Sequence, residues 1–386
     1  MRAKPKQARV ARAQNCWDKK NCGDMVMFDV HIVGAGPAGS FCAVAALKRG
    51  KSVLVSEEHA RIGEPVHCSG LVSQSGLEEM REVVDYRRIA LNRIESATIF
   101  CGSEHVRLKP KKAKAILIDR GEFDRMAAQR AQSAGAKFEL GKKISRLEQL
   151  QSECIVGADG PASEIARLFH FPKIKRAVSA YQADYECGIQ EVHDAKLYIS
   201  PSHFPGFFGW MIPIDEGHAK IGFAVKPGAS PKKAFGEILH GIGAKKPANE
   251  FGALIPIEVR KKTAGEFGKR RVFLAGDAAG QVKATTGGGI YFGASCGKLA
   301  GELCPNAHAY EREWRREYGK DLQMHALLRK VMDIPDERIV DALLFAFKGG
   351  MLDRFISEHA QMDRWGDLAG LDALGAYLKM LAGGKN

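Results

Sequence analysis

The chain has 386 residues and an ordinary globular composition, with a net charge of +13 from 58 basic and 45 acidic side chains. That length allows a large core and two or three domains, and the lack of any apolar run of about 18 residues speaks against a membrane-spanning helix, leaving peripheral contact as the only membrane role. The basic surplus includes no basic helix interleaved with aromatics, which disfavours nucleic acid. The nine cysteines (Cys16, Cys22, Cys42, Cys68, Cys101, Cys154, Cys187, Cys296 and Cys304) form neither a disulfide framework nor the spacing of a metal site, as expected for reducing cytoplasm.

Residues 1–26 carry much of the local charge (Arg2, Lys4, Lys6, Arg9, Arg12, Lys19 and Lys20) and lack the apolar core of a secretory signal. They are expected to be either a disordered basic tail or an upstream extension ahead of a start at Met25 or Met27. From Phe28 a short apolar strand runs into Gly34-Ala35-Gly36-Pro37-Ala38-Gly39 and an alanine-rich helix to about Lys48. A second strand, Lys51 to Ser56, ends at Glu57. Strand, glycine turn, helix and a strand-end acid about 20 residues on make a dinucleotide fingerprint: the glycines admit the pyrophosphate and the acid accepts from a ribose hydroxyl. The pattern does not separate NAD from FAD.

A strand is expected at Ala97–Phe100, and the basic patch Lys109, Lys111, Lys112 and Lys114 reads as a loop. Ile116-Leu117-Ile118-Asp119-Arg120 leads into a helix from Glu122 to Ala134, followed by a strand over Lys137–Leu140. Glu153 to Gly160 is another buried strand delivering an acid, Asp159, at its end, where open α/β sheets bind ligands. From Arg176 to Val225 the residues alternate as strands and are rich in aromatics, which predicts an antiparallel sheet. Arg271-Val272-Phe273-Leu274-Ala275 is a strand running into Gly276-Asp277, and the glycines that follow, through Thr285-Thr286-Gly287-Gly288-Gly289-Ile290, open a helix to about Leu299. Such a helix start offers free N–H groups and a positive dipole end to an anion. Beyond it, Trp314, Tyr318 and Leu322, and again Ile339, Leu343 and Phe347, form apolar stripes suited to packing on the body, with a membrane-facing helix as the lesser reading.

The expected architecture is α/β, α+β overall. A Rossmann-like nucleotide-binding domain takes in 27–170 and 256–303, an antiparallel-sheet substrate domain 171–255, and a helical region 304–386, after a tail over 1–26.

The order Gly34-x-Gly36-x-x-Gly39, Glu57, Arg120, Asp159-Gly160, Gly276-Asp277 resembles the FAD fold of aromatic hydroxylases. With Pro65-Val66-His67-Cys68-Ser69-Gly70-Leu71 and the block Gly276 to Gly293, the chain is more closely similar to archaeal geranylgeranyl reductases, from about Phe28 to Leu303. That resemblance implies FAD, with Gly34, Gly36, Ala38 and Gly39 at the pyrophosphate and Glu57 on the ribose. It places Arg120, Ile144, Asp159 and Gly160 against the cofactor, Cys68, Ser69 and Gly70 beside the flavin, and Asp277 on the ribityl or pyrophosphate part. Gly289 and Ile290 then lie under the ring, where the helix start would stabilise negative charge. The family pattern P-x-x-Y-x-W-x-F-P lies over Pro205 to Pro213. Phe208 stands for the tyrosine and Ile212 for the phenylalanine, so the apolar wall of Phe208, Trp210 and Pro213 persists without a phenol.

Several residues carry two readings. Cys68 is a flavin-side thiol or a small buried apolar residue; His67 is a proton donor or a histidine satisfied by backbone groups. Trp210 lines a substrate channel or the core; Asp159 and Asp277 contact the cofactor or cap a turn. The implied activity is reduction of isoprenoid double bonds of membrane-lipid precursors, with Cys68 and His67 as candidate catalytic groups and no metal. Its electron donor is NAD(P)H or a ferredoxin, and its location is cytoplasmic or peripheral on the inner membrane face. An FAD-dependent aromatic monooxygenase and an electron-transfer flavoprotein are the alternatives. The first usually carries a histidine and a proline-rich stretch after the Gly-Asp pair, where this chain has Gly280 and Thr285 to Gly289.

Overall fold

The computed structural model describes residues 27–102, 104–110, 114–333 and 363. Its first layer is a six-stranded sheet in the order β15-β16-β9-β1-β2-β8. The strands are β1 (Val30–Val33), β2 (Val53–Ser56), β8 (Lys137–Glu139), β9 (Cys154–Gly157), β15 (Ala264–Phe267) and β16 (Arg270–Leu274). All pairings are parallel except that of β15 with β16. β1, β2 and β9 are buried along their whole length, as expected for a parallel sheet covered on both faces. The chain leaves β1 towards β2 on one side and returns to β9 on the other, which opens a ligand crevice at the carboxyl ends of β1 and β9.

Helix α1 (Pro37–Lys48) covers this sheet and lies against α6 (Ile290–Leu303). The close approach follows from small residues at helical spacing. A Cβ on Gly297 would sit 2.1 Å from the Ala38 carbonyl oxygen, and one on Gly301 2.2 Å from that of Cys42. Helix α3 (Arg120–Ser133) packs beside α1 and begins at an Asp119 cap that accepts from Glu122 N.

The second layer is a seven-stranded sheet, β14-β10-β13-β12-β11-β5-β6, built from β5 (Ser96–Cys101), β6 (Glu104–Leu108), β10 (Ala177–Glu186), β11 (Asp194–Tyr198), β12 (Gly209–Pro213), β13 (His218–Val225) and β14 (Ala248–Pro256). A third, antiparallel sheet joins β3 (Leu71–Ser73), β7 (Ala115–Ile118) and β4 (Ala90–Ile94) in that order. The large sheet is not confined to residues 171–255: β5 and β6 come from much earlier, and β5 runs parallel to β11. The buried carboxylate of Asp194 on β11 explains the recruitment, since it accepts from Ser96 Oγ and from Thr98 Oγ1 at 2.7 Å, both on β5. Buried charge of this kind requires partners, and alternation within 96–101 alone does not reveal which strand supplies the need.

One face of this sheet, through Ala183, Tyr185, Met211 and Ile221, is covered by Phe235 of α5 (Lys232–Gly241). The other, through Val178, Ala180, Phe207, Phe208 and Ala224, meets Ala284 of the loop before α6. The expected helix after Gly276 starts later and ends later than its glycines suggest. Gly276–Ala279 is a single 3-10 turn closed by left-handed Gly280 (φ 72°), and α6 begins only at Ile290 and runs to Leu303. Trp314 and Tyr318, with α7 (Ala307–Glu317), and Leu322 of α8 (Gly319–Met332) are buried in the main core, as the four-residue spacing predicts. The stripe Ile339, Leu343, Phe347 lies outside the described residues, as do Cys16, Cys22, Lys111 and Lys112.

Candidate active site

The glycine turn after β1 is shaped by backbone proximity. Gly34 adopts φ 101°, and a Cβ there would meet the Ala158 carbonyl oxygen at 2.2 Å; a Cβ on Gly39 would meet the Gly34 oxygen at 1.9 Å. Gly36 faces open space, with nothing within 4 Å of its would-be Cβ. Glu57 braces the turn, its Oε2 accepting from Ala35 N at 2.8 Å and its Oε1 from His59 N and Nδ1. A carboxylate has about four acceptor sites, so a ribose hydroxyl still finds lone pairs here.

The downstream turn meets this one directly. A Cβ on Gly276 would touch the Ala38 methyl at 3.0 Å, and one on Gly289 would lie 3.1 Å from Asp277 Oδ1. The Asp277 carboxylate thus stands at the amino end of α6, beside the start of α1. Neither helix start has a side-chain cap, so two sets of free N–H groups converge on one place. Burial pushes the Asp277 pKa up to about 6, and Arg120 is the one charge opposing that rise.

Arg120 is the electrostatic centre of the site. It donates to Asp124 through Nε and Nη2 at 2.8 to 3.2 Å, and the Cys68 thiol lies beside the same guanidinium. Burial alone would lower the Arg120 pKa, but Asp124 and Cys68 raise it, so the guanidinium is permanently charged. Burial also raises the Asp124 carboxyl, against the pull of Arg120. Asp124 escaped the sequence reading, although its position four residues after Arg120 at the start of a helix is the spacing at which such pairs form.

The Cys68 loop is held by Gly70 (φ 81°), whose N–H points at Cys68 Sγ at 3.5 Å and whose would-be Cβ is 2.3 Å from the Ile118 oxygen. Ser69 is half-buried. His67 is exposed, packs edge-on against Phe251 of β14 with ring centroids 5.9 Å apart, and bonds to the Gly252 backbone. Burial leads the lowering of its pKa, followed by His59, so at neutral pH the ring is neutral and acts as a base or a hydrogen-bond donor rather than as an acid.

Other expected residues fall differently. Both Asp159 oxygens are committed locally, Oδ1 accepting from Ser163 Oγ at 2.6 Å and Oδ2 from Ile165 N at 3.0 Å, where α4 (Glu164–Leu168) begins. Burial raises its pKa and these bonds oppose the rise, so the side chain braces the start of α4, whose N-cap is Ser163. Its neighbour Gly160 (φ 75°) keeps open space around it. The Ile144 side chain packs in the core with Val33 and Ile155. Ile290 packs with Phe41 and Ile118, beneath the turn that Gly289 begins.

On the large sheet, Phe208 and Trp210 lie on the face turned towards the 283–289 loop, with ring centroids 6.0 Å apart. A Cβ on Gly287 would touch Ile255 and Phe207 of that face. Pro213 has the parity of Met211, which packs on the opposite face, so it is separated from Trp210 by strand alternation. Its carbonyl accepts from Asn92 Nδ2.

The Gly276-Asp277 turn is also braced from below by groups with no motif of their own. Gln281 Oε1 accepts from Gly276 N at 2.8 Å, Gln281 Nε2 donates to Tyr310 Oη, and Tyr310 Oη donates to the Leu274 oxygen. Helix α7 therefore holds the acid in place.

Residues 32–86 match the family of NAD(P)-binding Rossmann-like domains. A digeranylgeranylglycerophospholipid reductase of Methanocaldococcus jannaschii is 29% identical over 369 residues, covering 85% of this chain and 92% of its own length. Digeranylgeranylglycerophospholipid reductase 2 of Methanothermobacter thermautotrophicus is 29% identical over 374 residues, covering 83% and 92%. Among solved structures, a geranylgeranyl bacteriochlorophyll reductase-like protein of Thermoplasma acidophilum aligns with TM-score 0.75 at 21% identity, over 90% of this chain and 96% of that one. A flavin-dependent brominase aligns with TM-score 0.66 at 16% identity, over 92% and 99%. These structures share the fold, and the resemblance read from the motifs extends over most of the chain.

Proposed function

We propose that this protein is an FAD-dependent reductase that saturates isoprenoid C=C bonds of membrane-lipid precursors. The observation that carries it is the meeting of the Thr285–Gly289 loop, beside Asp277 and the Arg120–Cys68 pair, with an aromatic and aliphatic sheet face that offers a chain-like hydrocarbon a dry surface. The residues fit FAD: glycines whose side chains would fill the turn, two uncapped helix starts for the pyrophosphate, and a strand-end acid for the ribose. When bound and reduced, FAD supplies a hydride.

Arg120, kept charged by Asp124, and Asp277 at the start of α6 would orient the cofactor. The wall of Phe207, Phe208, Trp210 and Ile255 holds the prenyl chain and excludes water. Burial worth about 0.8 kcal/mol per CH₂ gives ample affinity without polar handles. An isolated alkene develops no oxyanion, so alignment and a proton source are what the protein must add. Addition of that hydride and a proton across the double bond would give the saturated bond, with NAD(P)H or a ferredoxin as the source of the two electrons. We place the proton source at the Cys68 thiol, with His67 as its exchange partner to solvent. No helix among the described residues is long and apolar enough to cross a membrane, and we place the protein in the cytoplasm, reaching lipid from the membrane surface.

The test is anaerobic. Photoreduced protein is mixed with a geranylgeranyl phospholipid, and flavin absorbance and lipid mass are followed together. Reoxidation with a gain of hydrogen pairs is expected; a flavin that stays reduced over unchanged lipid sinks the reading and favours an electron-transfer flavoprotein.

A further inference from the structure

Across the face of the large sheet turned towards the 283–289 loop, four strands place Trp210, Gly222, Gln182 and Phe251 in one row of register partners. The row is built around Gln182. Gly222 leaves the space that the Trp210 ring occupies, because a Cβ there would lie 2.7 Å from it. Through that gap Trp210 Nε1 donates to Gln182 Oε1 at 2.9 Å. Indole N–H is only a donor, so this bond settles which amide atom is the oxygen. Phe251, at the end of the row, carries His67 against it, next to Cys68.

Gln182 is 1% exposed, and its Nε2 has no hydrogen-bond partner. A buried donor left unpaired costs about 1 to 3 kcal/mol, which an isosteric apolar residue would avoid. Of its neighbours on this face, Val178 and Ala180 of the same strand, Leu197, Phe208 and Ile255 are hydrocarbon, and the next polar residue along the strand, Asp184, accepts instead from Lys220 Nζ at 3.1 Å and Asn249 Nδ2 at 3.0 Å. A plain polyprene offers no acceptor.

We propose that Gln182 is a specificity-determining residue whose amide N–H donates to an oxygen of the substrate, an ether or hydroxyl oxygen carried on the prenyl chain, so that the wall takes oxygenated prenyl lipids in preference to prenyl hydrocarbons. Trp210 holds the amide in the orientation that leaves Nε2 for the ligand. This rests on the reductase reading for its choice of a prenyl ligand, and it adds to that reading a polar element in an otherwise apolar channel.

The test measures binding, which does not require turnover. Equilibrium affinity of the flavin-loaded protein is compared for a geranylgeranyl alkyl ether, geranylgeraniol, and the all-carbon analogue with CH₂ in place of the ether oxygen, in the wild type and in Gln182→Leu. The wild type should favour the ether, the alcohol or both over the CH₂ analogue by about 10- to 100-fold. Whichever oxygen is favoured identifies the source. Gln182→Leu should bring the ratio near one by weakening only the oxygenated ligand, with flavin occupancy unchanged. A wild type that does not discriminate, a ratio untouched by the substitution, an equal loss for all ligands, or a changed flavin occupancy each overturns the proposal. Turnover assayed in the same samples separates the readings: discrimination without reduction sinks the reductase activity and leaves the role of Gln182 standing.

Discussion

The turns after β9 and β16 lie side by side in one sheet, and each delivers an aspartate at a strand end, yet the two acids have different surroundings. Asp159 spends both oxygens on Ser163 and Ile165 at the start of α4. Asp277 faces the start of α6 across a glycine, and only burial and Arg120 act on its titration. A strand-end acid is therefore an ambiguous sign. What separates a cap from a ligand-holding group is whether the following backbone turns back onto the carboxylate.

The largest effect should come from the packing that puts Asp277 where it is. Gly297→Val drives a side chain into the Ala38 carbonyl, separating α6 from α1, and should destabilise the protein by on the order of 3 kcal/mol or more, with loss of flavin. Denaturant unfolding of wild type and variant measures it, and a small change would mean that α1 and α6 do not set the site. Next, Asp277→Ala should weaken flavin binding by about 10- to 100-fold, the consequence of removing a hydrogen-bonding partner from a buried site. The ratio of flavin to protein absorbance after dialysis reads it directly, and full occupancy would remove Asp277 from the cofactor site.

Asp159→Ala sharpens the contrast from the other side. It should lower stability by about 1 kcal/mol through the lost bonds to Ser163 Oγ and Ile165 N while leaving flavin occupancy unchanged; loss of flavin at preserved melting temperature would reverse the two roles.

The smallest effect is in pH dependence. Asp277 titrates near 6 in the folded chain and near 4 when unfolded, so its contribution to stability is fully present below about pH 4 and is lost as pH rises through 6. Asn mimics the protonated acid, so in flavin-free samples the melting temperature of the wild type should fall relative to that of Asp277→Asn from pH 4 to 6, and the difference should stay constant above it. Taking the difference removes His31, whose buried ring titrates near 4 and whose contribution is lost in the opposite direction, as pH falls. A flat difference throughout would place Asp277 in a more solvated setting.

Much of the cofactor side was legible because its requirements are local and concern backbone. Gly34, Gly39, Gly70 and Gly276 sit where a side chain would strike a neighbouring backbone or methyl group, and glycine patterns record such demands in the sequence itself. The Glu57 position follows from the length of one strand–helix–strand unit. The substrate side was legible only in outline: aromatic strands were evident, while Gln182, Gly222 and the recruitment of β5 depend on register between strands far apart in the chain. Pro213 shows the same limit, since it shares a motif with Trp210 and faces away from it. Asp124, Gln281 and Tyr310 belong to no motif, and each acts through a partner that folding supplies.

The sequence by itself determined the parallel sheet, the glycine turns, the strand-end acids and the apolar stripes, because period, backbone conformation and strand length are set by neighbours a few residues apart. The tertiary structure alone decided that Asp277 faces the start of α6 while Asp159 bonds to Ser163 and Ile165, that α1 and α6 bring their starts together, and that the Gln182 amide is buried beside an apolar wall. The meeting of α1 and α6 joins segments more than a hundred residues apart, while the Asp159 and Gln182 bonds are closer in sequence; the free energy of all of them comes from burial and geometry that exist only once the chain has packed.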